Sequence, residues 1–179
     1  MLKIKPTVTS NKALLNKYPI RRSGGLFLIL VGITLLLSLV FADGNLVNQM
    51  IFVIGITISI LSFFTVKYFS HGRPSRHQII ALGFALLLEL ILSILLINIV
   101  PQGTSERNMW LYGFIIVGIH FLPMAYSFGS IMLILGTGCL VNATLGLLIP
   151  QFPYEVFGII DGMLKLEIGG ILFTGIKRR

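Results

Sequence analysis

Long apolar runs dominate this chain, and short polar or helix-breaking segments divide them. Runs at 26–42, 47–66, 79–100, 109–126, 130–149 and 154–176 each approach the roughly 20 residues that a helix needs to cross about 30 Å of hydrocarbon. The segments between them, 43–46, 67–78, 101–108, 127–129 and 150–153, are short and contain Pro, Gly and Asn, residues that interrupt regular structure. The pattern predicts an all-α membrane protein, a six-transmembrane-helix bundle with short loops. It divides the chain into a basic cytoplasmic leader at 1–22, a six-helix membrane domain at 23–176 and a cytoplasmic tail at 177–179. Within the leader, 11–18 is expected to form a short surface helix.

Composition agrees with this reading. Of 179 residues 55% are hydrophobic and 11% charged, with a mean hydropathy of +0.94, whereas soluble domains carry about 25% charged residues. The net charge of +8 does not point to nucleic acid, because the basic residues flank the ends of apolar runs. Lys3, Lys5, Lys12, Lys17, Arg21 and Arg22 precede the first run, Lys67, Arg73 and Arg76 lie in the second connection, and Lys177, Arg178 and Arg179 follow the last run. The opposite side holds Arg107, and Lys165 within a run completes the 14 basic residues. Positive residues are retained in the cytoplasm during insertion, so both termini are expected there, in the cell (inner or plasma) membrane. The leader and the second connection, where His71 and His77 flank Arg73 and Arg76, should rest on anionic lipids. Trp110, Tyr112 and Tyr154 fall at the outer ends of runs, as interfacial anchors do. The first run also has features of a signal peptide, with Arg21 and Arg22 ahead of it and a cleavage-like Val40-Phe41-Ala42, although it is longer than the usual apolar region of about 7–15 residues.

Three crossings followed by three would run in opposite senses, as inverted repeats do in many transporters. Traces of a 3+3 inverted repeat exist: Val31-Gly32-Ile33 matches Val117-Gly118-Ile119, and Leu88-Glu89 matches Leu166-Glu167.

Candidate chemistry lies in the polar residues within the runs, since a charge at mid-bilayer costs roughly 2.5–3.5 kcal/mol on insertion scales and needs a partner. Glu89, His120, Asn142, Asp161 and Lys165 form the expected polar cluster, a substrate or proton site, with Glu89, His120 and Lys165 in one mid-membrane layer. On the last run Gly158, Asp161, Gly162, Lys165 and Gly169 share one helix face, and Asp161 and Lys165 are spaced to pair. Gly138, Asn142 and Gly146 make a matching stripe on the fifth run, so these two helices are expected to pack through glycine faces. Glu167 points away from that face; another helix or a second subunit supplies its partner, or it stays protonated. Pro123 either kinks the fourth helix beside His120, by removing a donor to the Ile119 carbonyl, or ends it. Cys139, the single cysteine, reads as a packing residue and excludes intrachain disulfides and cysteine-based metal clusters.

The segment Val117-Gly118-Ile119-His120-Phe121-Leu122-Pro123-Met124-Ala125 resembles a Gly-x-His-Phe-x-Pro segment of small, uncharacterised bacterial multi-pass membrane proteins. The resemblance covers roughly the fourth and fifth runs. It implies a bacterial inner-membrane protein and carries no known activity.

No phosphate-binding glycine loop, dinucleotide fingerprint, His-Glu-x-x-His or Gly-x-Ser-x-Gly motif occurs, so neither an enzyme nor a cofactor or metal is expected. The expected function is a small carrier or proton-coupled permease, working as a homo-oligomer. The rival is a non-enzymatic membrane sensor, immunity or accessory protein whose buried charges are structural. An intramembrane enzyme, the third class, would have to rely on His120 and the carboxylates.

Overall fold

The computed structural model describes residues 8–40, 46–62, 68, 70–101 and 103–174. Lys3 and Lys5 of the leader, Phe41-Ala42 of the cleavage-like motif, Lys67 and the tail Lys177-Arg178-Arg179 lie outside the described residues. Among the described residues the fold is all-helical, with seven helices and no strand. They are α1 (Val8–Lys17), α2 (Arg21–Val40), α3 (Leu46–Ser62), α4 (Arg76–Ile99), α5 (Glu106–Phe128), α6 (Ile131–Leu148) and α7 (Tyr154–Thr174).

Four of them, α2, α4, α5 and α6, are long and apolar enough to cross a membrane. Helix α3 has 17 residues, and α7 has 21 but carries Glu155, Asp161, Lys165 and Glu167, so neither meets both conditions. Helix α4 is the most apolar and is almost wholly exposed. Its outward Ile79, Phe84, Leu87, Leu90, Ile94 and Ile97 form a surface that water would not stabilise.

Local chemistry explains where helices begin and end. Helix α2 starts earlier than the apolar run because Arg21, buried, donates from Nη1 to the carbonyl of Phe128 at 2.9 Å. Ser75 and Gln78 form a capping box at the start of α4, satisfying donors that have no intrahelical acceptor. Helix α5 runs through Pro123 and continues to Phe128, so the reading in which Pro123 ends the helix does not hold. The terminator is Gly129, whose φ of 102° lies in the left-handed region that glycine adopts without strain.

Neighbouring helices run in alternating directions, and α2 is the hub, packed on α7 most extensively and on α3. Helix α5 likewise packs on α6 and α4, and α6 also meets α7. The α2–α7 seam corrects the expected glycine packing. A Cβ at Gly25 would stand 2.7 Å from the Gly169 carbonyl oxygen, and one at Gly32 would stand 2.9 Å from that of Gly162. Gly158 receives Leu39 of α2 in the same seam. The face of Gly158, Gly162 and Gly169 therefore meets α2 rather than α6. The reason is register: Gly25 and Gly32 repeat at the same interval as Gly162 and Gly169, so two antiparallel backbones can approach at two points. On α6, Gly146 is filled by Leu111 and Phe157, while a Cβ at Gly138 would make only ordinary contact with Leu164, at 3.4 Å.

Among the described residues, α3 and α4 do not pack against one another to any comparable extent.

Candidate functional site

A cavity of about 670 Å³ is walled by α2, α3, α4 and α5 and floored by α7. Its lining residues are apolar or aromatic apart from Glu89 and Ser93 of α4, Gly113 and His120 of α5, and Asp161 and Lys165 of α7. The aromatic rings of Phe27, Phe52, Trp110, Phe114 and Phe121 stand around it.

Each polar group is placed by its helix. The close α2–α7 seam buries one face of α7, so Asp161 is 0% and Lys165 2% exposed. One helical turn apart, they form a direct ion pair between Lys165 Nζ and Asp161 Oδ2. The other carboxylate oxygen, Oδ1, is buried without a hydrogen-bond partner, and the buried Cys139 thiol neighbours the same carboxylate. The Lys165 ammonium also lies 5.8 Å from the centre of the Phe121 ring, within range of a cation–π attraction.

On the opposite wall His120 Nε2 faces Glu89 Oε2 at 3.8 Å. That separation is too long for a direct hydrogen bond and short enough for strong electrostatic coupling. The Glu89 side chain is 35% exposed and that of His120 5%, so the carboxylate belongs to the more accessible residue of the pair. Both lie within electrostatic reach of Lys165.

Asn142, expected in the cluster, is elsewhere. It is buried between α6 and α7, where its side-chain amide donates to the carbonyl of Phe157 at 2.7 Å, and it does not line the cavity. Glu167 is exposed on the other side of α7. Sequence reading missed Ser93, and it missed the aromatic wall because a phenylalanine in an apolar run carries no sign of which neighbour it meets. Trp110 and Tyr154 do lie at the same end of the bundle; their rings stack 6.1 Å apart at 6°, and Phe52 meets Trp110 edge-on at 5.2 Å.

Hydrogen bonds tie both ends of the bundle. At one end Gln78 donates to the carbonyl of Lys17 at 2.8 Å, and the Ser127 hydroxyl donates to that of Gln78 at 2.7 Å. At the other, Arg107 donates to the carbonyls of Gly146, Ile149 and Phe152, capping α6. Among the described residues no group of three or more His, Cys, Asp or Glu side chains is arranged to hold a metal ion.

Fold and site together define an all-helical bundle with several membrane-length apolar helices and an ionisable cluster on an apolar cavity. The chain belongs to the DUF6609 family, a family of unknown function, whose pattern matches residues 11–179. No curated protein and no solved structure matches it.

Proposed function

We propose that this chain is a multi-pass membrane protein of six crossings, α2 to α7, acting as a small carrier coupled to protons. The observation that carries the proposal is the convergence of Glu89, His120, Asp161 and Lys165, from three helices, on one cavity. Ionisable groups within hydrocarbon usually line pathways or relays. The short α3 and the charged α7 suit this reading, since α7 turns its Asp161 and Lys165 inward, where α2 and α5 shield them.

The packing supports two inverted halves. The first helix of each half packs on the second helix of its own half and the third of the other, α2 on α3 and α7, α5 on α6 and α4. Arg21 precedes Val31-Gly32-Ile33 by the same interval at which Arg107 precedes Val117-Gly118-Ile119. The seam between second and third helices is closed in one half (α6 on α7) and open in the other (α3 and α4). Such an asymmetry suits alternating access, in which the halves exchange roles. The exposed apolar face of α4 suits lipid or a second copy of the chain, and the basic leader and second connection suit anionic lipid.

Reconstituted vesicles with an interior pH dye test the carrier. A proton leak or exchange is expected with the native chain and is lost in folded Glu89→Gln and Asp161→Asn variants; undiminished flux in those variants would sink the proposal. The tight Asp161–Lys165 pair also suits the rival reading, a sensor, immunity or accessory protein held together by buried charges. That reading expects loss of folded protein from the same substitutions and no flux from the native chain.

A further inference from the structure

We infer that the cavity takes a lipophilic organic cation, an apolar or aromatic body carrying one delocalised or quaternary positive charge. The inference rests on the carrier reading of the same site and goes beyond it by naming the substrate class.

Charge balance comes first. Asp161 and Lys165 are in direct contact and cancel, and His120 carries charge only when protonated. Glu89 remains, a carboxylate lining the cavity with 35% of its side chain exposed. With that carboxylate ionised and the imidazole neutral, the cavity holds one net negative charge among its described lining residues. A cation completes it. An anion would have to draw Lys165 away from Asp161, leaving a fully buried carboxylate unpaired, which is strongly unfavourable.

The walls decide which kind of cation. Small inorganic cations need six or more oxygen ligands or several retained waters, and the lining offers few oxygens besides Glu89, Ser93 and Asp161. Five aromatic residues instead line the cavity, and aromatic rings attract an organic cation most strongly where water is excluded. The volume of about 670 Å³ falls within the range of small-molecule sites. Access fits as well: α3 and α4 both line the cavity and expose apolar surfaces, which suits a solute that arrives dissolved in the bilayer.

Proton release follows from the same geometry. The groups facing Glu89 are His120 of α5 and, farther off, Lys165 and Asp161 of α7. A cation docking at the carboxylate displaces a proton held there and repels one held on the imidazole. When the Glu89–His120 pair holds a proton, that proton leaves as the cation enters and the site's charge is conserved; when the pair holds none, the cation neutralises the carboxylate and no proton is released.

Tetraphenylphosphonium and tetraphenylborate have the same shape and opposite charge, which makes them the probes. The full chain in nanodiscs should bind the phosphonium saturably, above its partition into protein-free discs. Trp110, the single tryptophan and a lining residue, should report binding as a shift in emission. Glu89→Gln is expected to weaken binding by about tenfold or more, and Glu89→Asp to retain part of it. Saturable borate binding as tight as that of the phosphonium, or no saturable phosphonium binding to the native chain, would overturn the inference without any variant. Phosphonium binding with no proton flux would refute the carrier and leave the cation site standing. Flux unaffected by saturating phosphonium would refute the cation site and leave the carrier.

Discussion

Asp161 and Lys165 show how one helical turn can serve two opposed needs. Their spacing makes the pair legible in the sequence, since side chains four residues apart share a face. Burial raises the stakes, because removing one partner of a buried pair costs about 3–5 kcal/mol, whereas replacing both with apolar groups is often neutral. Lys165→Met is therefore expected to destabilise the chain by about that amount, and the double variant Asp161→Leu/Lys165→Met to recover most of it. Thermal unfolding in detergent across the four-member cycle checks this; equal stability for Lys165→Met and the native chain would mean that the pair contributes nothing. Glu89 and His120 were also picked out by type and depth, yet their approach across two helices has no local signature. Asn142 shows the limit from the other side. Its type marks a buried amide that needs an acceptor, but the acceptor turned out to be the Phe157 carbonyl, which no side-chain pattern reveals.

At the level of helices, each hydrophobic run overlaps one helix from α2 to α7 among the described residues, with α2 beginning five residues ahead of its run. Run length failed to name the partner of the glycine face on α7. Two stripes were available, on α6 and on α2, and only the second matches the seven-residue interval of Gly162 and Gly169 at both points. Close approach in a membrane is driven by van der Waals contact between backbones, so a side chain inserted at the tightest points should separate the helices. Gly25→Ala and Gly32→Ala are expected to lower the melting temperature, because the added methyl meets backbone atoms of α7. Gly138→Ala, where the methyl meets only Leu164 at ordinary distance, should be neutral or slightly stabilising, since alanine favours helix by up to about 1 kcal/mol over glycine. Equal damage from all three would show that the α2–α7 seam is not the close one.

For the molecule as a whole, the proposed six-crossing arrangement makes an accessibility prediction. His71 lies between α3 and α4 and Gln151 between α6 and α7, both exposed, and the layout puts them on opposite sides of the membrane. The native Cys139 is fully buried and should give little background. In intact cells a membrane-impermeant maleimide is expected to label Gln151→Cys and to spare His71→Cys until the cells are opened. Labelling of both, or of His71→Cys alone, would reject the orientation.

Amino-acid order alone determined that this chain is helical, where its apolar helices run, and which few side chains need shelter. Those properties follow from local periodicity, run length and the cost of placing charge in hydrocarbon, all of which are read one segment at a time. Tertiary structure alone decided that α7 packs on α2 and that α2, α3, α4, α5 and α7 enclose one cavity lined by Glu89, His120, Asp161 and Lys165. Those outcomes depend on which of several glycine and aromatic surfaces fit one another in register, a property of pairs of helices that no single segment contains.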